Sequence, residues 1–89
     1  MSVTHNPARN RYELPTEHGL AVAEYRKQGD RLIFTHTGVP PEDEGKGLGA
    51  KLVRAALEDT RRQGLKIVPA CSFVVAFVRR HPEFDDSAR

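Results

Sequence analysis

One amphipathic helix, expected over Gly47–Gln63, limits what the rest of this chain can form. Leu48, Leu52, Ala55 and Ala56 recur at helical spacing, while Lys51, Arg54, Glu58, Arg61 and Arg62 fall mostly elsewhere. Gly64 stands where a helix C-terminal glycine belongs. Before the helix, Leu20–Lys27 and Arg31–Val39 read as two extended segments joined through Gln28-Gly29-Asp30, a hairpin connection. Simple alternation puts Leu32, Phe34 and His36 on one face of the second segment, with Ile33, Thr35, Thr37 and Val39 on the other. Pro40-Pro41 ends that strand, because neither proline can donate to a ladder. Arg11–Leu14 predicts a further short strand, closed by the turn-rich Pro15–Gly19. After the helix, Lys66–Pro69 is a short buried strand. It is reached by a helical crossover and is therefore expected to run parallel to the strand before the helix. Ser72–Arg80 is open between two forms. Phe73, Val74, Val75, Phe77 and Val78 favour a strand, whereas Ser72 as a cap, Arg79 and Arg80 at a C-terminus and Pro82 as a stop favour a helix.

With 89 residues and 38% hydrophobic composition, the chain is expected to form one small domain over 1–89. A core of that size leaves stability thin. The longest apolar run, Phe73–Val78, is far too short for a membrane span, and Met1–Asn10 lacks the layout of a signal segment. Cys71 is the single cysteine, which excludes an internal disulfide and a cysteine-based zinc site. These features lead to the expectation of a cytoplasmic protein, a monomer or weak dimer, with no membrane partner. Charge is uneven, with a net of −2 over residues 1–44 and +4 over residues 45–89. That balance suits either a phosphorylated ligand or a plain solvated surface. Nucleic acid ranks lower, because no aromatic-plus-basic motif accompanies the charge.

Gly45-Lys46-Gly47-Leu48-Gly49 joins a strand end to the first turn of the expected helix. Missing side chains let a phosphate approach the backbone, the free N–H groups of the helix start point at it, and Lys46 adds a positive charge. Neither the G-x-x-x-x-G-K-[ST] loop nor the G-x-G-x-x-G spacing is present. A turn that merely packs a helix fits the same residues. Taken together with what surrounds it, however, the run resembles motif A of the GNAT superfamily of acyl-CoA N-acyltransferases, [QR]-x-x-G-x-[GA]. Three further blocks are similar to a very short GNAT-like subfamily, namely His36-Thr37-Gly38-Val39-Pro40, Val68-Pro69-Ala70-Cys71-Ser72 and His81-Pro82-Glu83-Phe84. The resemblance covers about residues 11–84.

The resemblance implies an α+β fold on an α/β-type GNAT core, with a mixed, mainly antiparallel sheet of about four strands and two principal helices. Ser72–Arg80 is then a helix. It also implies acetyl-CoA or coenzyme A as co-substrate. Glu44, Gly45, Lys46, Gly47, Leu48 and Gly49 would lie at the pyrophosphate, and the backbone near Val39 along the pantetheine arm. The resemblance further implies that Cys71 and His36 correspond to the proposed catalytic pair of that subfamily. The residues alone leave both open, since a thiol at a helix N-terminus is activated but free cysteine is also a common core residue. His36 would act as a general base toward Cys71 or an incoming amine, or would simply pack. His81 reads as a helix-terminal residue, His5 and His18 carry no assigned role, and no metal-ligand spacing stands out. Two departures matter. Glu44 replaces the motif's Arg or Gln and follows Glu42 and Asp43, so three carboxylates are expected to weaken pyrophosphate binding. The tyrosine that many GNAT enzymes use as general acid is missing, because the tyrosines here are Tyr12 and Tyr25. The leading expectation is an acyl-CoA-dependent N-acyltransferase acting on an unidentified amine or protein acceptor. A non-catalytic acyl-CoA-binding module is the alternative.

Overall fold

A computed structural model describes residues 2–86. Five strands form one sheet in the order β1 (Thr4–Asn6), β2 (Arg11–Thr16), β3 (Gly19–Gln28), β4 (Arg31–Gly38) and β5 (Lys66–Pro69). Neighbours are antiparallel except β4 and β5, which run parallel because helix α1 (Leu48–Arg62) carries the chain back between them. Helix α2 (Ser72–Arg80) follows β5. The mixed sheet and two helices match the expected fold class.

Strand alternation sends Tyr12, Leu14, Ala21, Ala23, Tyr25, Leu32, Phe34 and Ile67 to one side of the sheet, where all are buried. Helix α1 covers them with Gly49, Leu52, Val53, Ala56, Leu57 and Thr60, an unbroken i, i+3, i+4 series. That stripe is rotated from the expected one: Leu48 and Ala55 sit at its margin, half-buried. Helix α2 adds Val74, Phe77 and Val78, and Arg54 of α1 lies 5.6 Å from the Phe77 ring centroid, so both helices share this face. The opposite face, which includes Glu13, Val22, Glu24 and Ile33, is only half-buried at these positions, with no helix packed on them among the described residues.

The ends of α1 are set by glycines. Gly64 adopts φ +75°. Its amide donates to Arg61 and that of Leu65 to Thr60, the Schellman pattern of a helix stop.

Three expectations change. The strand expected to end at Leu14 runs to Thr16 with Pro15 inside it. β1 pairs only as far as Glu13, so Pro15 lies on a locally free edge and its missing N–H costs no ladder bond. β1 itself was not anticipated. Its three residues are too few for a sequence pattern, and His5 fixes it by stacking on Tyr12 (centroids 4.2 Å apart) and hydrogen-bonding the Tyr25 hydroxyl at 2.6 Å. Finally, Cys71 rather than Ser72 is the N-cap of α2.

At the far edge, β5 turns the Lys66 and Ala70 amides toward β4, where they donate to Asp30 and Phe34. Ile67 N–H faces outward and donates to Asp86 Oδ2 at 2.8 Å, while Pro69 has no N–H to offer. Asp86 also pairs with Arg61 at 2.7 Å. The edge is thus closed by one carboxylate and one proline. Asp86→Ala should destabilise the domain by about 1–3 kcal/mol, since it strips an outward amide and a half-buried guanidinium of their acceptor. Urea denaturation checks this, and a midpoint within error of the parent would contradict it.

Candidate active site

The glycine turn and the end of β4 enclose a cavity of about 340 Å³. Thr37 and Val39 line it from β4 and its exit, Asp43, Glu44, Gly45 and Gly47 from the turn, Leu48, Gly49 and Ala50 from α1, and Phe73 from α2. Gly45 and Gly47 take φ +85° and +76°, a backbone that side-chain-bearing residues adopt only under strain. Gly49 serves packing instead: a Cβ there would lie 2.8 Å from Phe73 Cζ. Gly47 is the N-cap of α1 and has no side chain to satisfy the helix start. Lys51 donates to Gly47 O at 3.1 Å, whereas the Leu48, Gly49 and Ala50 amides find no acceptor among the described residues. The cavity therefore joins an apolar channel to a cluster of unspent donors at a helix N-terminus, which suits an anion carried on an apolar arm.

Lys46 is not among the lining residues. Its Nζ is held 2.9 Å from Asp43 Oδ1 and 3.4 Å from Glu17 Oε1. Asp43, read from the sequence as one of three carboxylates beside the pyrophosphate, is buried. His18 donates its backbone N–H to Asp43 at 3.0 Å, and its ring Nδ1 lies 2.9 Å from the other carboxylate oxygen. Hydrogen bonds from His18 first, then Lys46 and Thr16, hold the Asp43 carboxyl well below the usual carboxylate range. Glu17, His18 and Asp43 bring three potential metal-ligand atoms within 4.8 Å, but the Lys46 ammonium already sits against two of them as the cation. Of the three acids, Glu42 and Glu44 remain exposed.

The expected pairing of His36 with Cys71 is not what the strand geometry produces. Glu24 pairs with His36 and Tyr25 with Phe34, leaving Thr35 as an extra residue on β4. Beyond this bulge the alternation is inverted. Thr37, opposite buried Ala23, faces the helix side, and His36, opposite Glu24, faces the uncovered side. His36 therefore does not share a face with Leu32 and Phe34. Its exposed ring leans over Gly38, where an added Cβ would come within 3.1 Å of Nε2. Cys71 is half-buried against the core, its amide donates to Phe34 O at 3.0 Å, and Sγ lies 3.5 Å from Thr37 Oγ1. Thr37 was not singled out from the sequence, because the bulge that reorients it has no sequence mark. His81 stays structural, its ring tilted against Phe77 (centroids 4.3 Å apart) with Nδ1 3.2 Å from Arg54.

Comparison with known proteins decides the relationship. The GCN5-related N-acetyl-transferase family model matches residues 11–87. This chain belongs to that family. The solution structure of a GCN5-like protein from Staphylococcus aureus superposes with a TM-score of 0.72 at 28% identity, covering 96% of this chain and 84% of that one. Protein NATD1 of Bos taurus and of Homo sapiens is 32% identical over 66 residues, 73% of this chain. The match spans 58% of the length of each of these two relatives. The family generally uses acetyl-CoA as co-substrate; in this chain the glycine turn at the N-terminus of α1 leaves backbone amides without acceptors among the described residues.

Because Asp43 binds its proton less readily in the folded chain than in the unfolded one, its stabilising effect is complete above the unfolded value of about 4. It is lost as pH falls through the depressed folded value. Between about pH 5 and pH 2, the parent should therefore lose more unfolding free energy than Asp43→Asn. Urea midpoints across that range test this, and parallel curves would refute the assignment.

Proposed function

We propose that this chain is an acyl-CoA-dependent N-acyltransferase, with acetyl-CoA as the donor and an amine, small or protein-borne, as the acceptor. The observation that carries the reading is the cavity where the unsatisfied amides of Leu48, Gly49 and Ala50 meet an apolar channel lined by Val39, Leu48 and Phe73. Those amides, with Gly45 and Gly47, hold the pyrophosphate through backbone donors and the helix dipole. The backbone near Val39 runs along the pantetheine arm. Lys46 contributes only if it leaves Asp43 and Glu17. Glu44 lines the cavity as an exposed carboxylate, so its charge opposes the anion.

Transfer forms a C–N bond between the amine and the acyl carbon and breaks the thioester C–S bond, with coenzyme A leaving as the thiol. The amine attacks from the cavity side and its proton leaves to solvent, because His36 lies on the uncovered sheet face and is not among the residues that line the cavity. Placement of Cys71 on the helix side, with its thiol 3.5 Å from Thr37 Oγ1 of the cavity lining and without His36 beside it, supports direct attack by the amine. A covalent stage on Cys71 would need another base, since His36 does not reach the thiol.

Thermal shift with acetyl-CoA, free coenzyme A and longer acyl-CoAs tests the binding on which everything rests. Stabilisation by all three at millimolar ligand is expected, and no shift would overturn the reading. An amine-acceptor assay then separates a catalyst from a module that only binds acyl-CoA. Glu44→Arg should tighten coenzyme A about three- to tenfold by replacing a repelling charge with an attracting one at an exposed position. Titration calorimetry showing equal or poorer affinity would contradict that assignment.

A further inference from the structure

The bulge at Thr35 leaves one hydroxyl in contact with both the cavity and the thiol. Thr37 lines the cavity, whereas Cys71 lies behind it, half-buried and bonded to Thr37 Oγ1 at 3.5 Å. The geometry points to Thr37 as the donor that polarises the acyl thioester carbonyl, with Cys71 as the residue that positions it. The inference rests on the acyl-CoA reading above and deepens it by naming the group that meets the reacting carbonyl.

A threonine hydroxyl has one proton and two acceptor lone pairs. If Cys71 S–H donates to Oγ1, the hydroxyl proton is left for a second partner. The described residues provide no such partner other than the thiol, and the open direction is the cavity. Two backbone features keep this arrangement in place. Pairing with Ala23 holds Thr37 on the helix side of the sheet, and the double acceptance of the Ala70 and Cys71 amides by Phe34 O, at 3.0 Å each, anchors the cysteine backbone. Cys71 caps α2 with its backbone while making no side-chain cap bond, so its thiol is free to serve Thr37. Charge builds on the carbonyl oxygen as an amine attacks, and a donor aimed there lowers the barrier.

Acetyl-CoA carrying ¹³C at the thioester carbonyl reports on this directly, without an acceptor. Bound to the parent protein, the carbonyl resonance should move downfield from its position in free acetyl-CoA. Thr37→Val keeps the β-branched shape that suits a strand, and should return the resonance most of the way to the free value. It should weaken affinity by no more than about three- to tenfold, the range for one net hydrogen bond. Thr37→Ser should keep the displacement. Cys71→Ala should reduce it and Cys71→Ser restore it, a pattern that simple loss of packing would not give. Thr37→Ala replaces the valine variant if that one does not fold. A displacement unchanged in Thr37→Val or Thr37→Ala overturns the inference while leaving acyl-CoA binding intact. Absence of saturable binding by the parent overturns the acyl-CoA reading, and this inference with it.

Discussion

An unpaired residue in β4 controls the chemistry available to this domain. From Arg31 to Phe34, ordinary alternation buries Leu32 and Phe34 beneath the helices. Thr35 then drops out of register with β3, and every later side chain of the strand changes sides. Without that bulge, His36 would enter the layer occupied by Phe34 and Ala23, and Thr37 would face the uncovered side. With it, a threonine reaches the cavity and a histidine reaches the opposite face. Bulges recur beside functional sites for this reason, since they re-aim a side chain without changing the strand's partners.

The second constraint lies at the two places where α1 begins. Gly45 and Gly47 provide the left-handed backbone that turns the chain into the helix, and Gly49 allows Phe73 of α2 to come close. One glycine-rich run therefore does two jobs. It leaves helix amides without acceptors, and it brings α2 near enough to wall the channel those amides end. The Asp43 cluster braces the turn from beneath. Its buried carboxylate is surrounded by His18 and Lys46, so a charge that would repel an anionic ligand is neutralised internally. This arrangement withdraws Lys46 from the cavity, leaving backbone amides as the donors at the start of α1.

The free sheet face and the closed β5 edge frame the acceptor problem. Asp86 and Pro69 prevent another strand from extending the sheet there, while among the described residues no helix covers Glu24, His36 or Ile33 on the open side. Under the proposed transfer, the acceptor must therefore come from the cavity side, because the sheet separates exposed His36 from the cavity. A cavity of about 520 Å³ between β5, α2 and Asp85–Asp86 lies away from the glycine turn and borders the closed edge. It has no part in the proposed transfer.

Much of the fold was legible because its signals are local. The hairpin through Gln28-Gly29-Asp30, the helix stop at Gly64 and the Lys66–Pro69 strand, of which only Ile67 is buried, each depend on a few neighbouring residues. The glycine run likewise announced a helix start suited to an anion. The α1 stripe was read with its phase slightly wrong, because Gly49 and Thr60 count as core only once Phe73 and the Ala56 carbonyl are in place. The burial of Asp43, the capture of Lys46 and the stacking of His5 on Tyr12 join residues far apart in the chain, so no spacing rule reports them. The decisive case is β4. Its sequence determined that a threonine and a histidine would be adjacent on one strand and so point to opposite faces. Only pairing with β3, by excluding Thr35, decided which of the two meets Cys71, because register is a property of two strands and cannot be read from one.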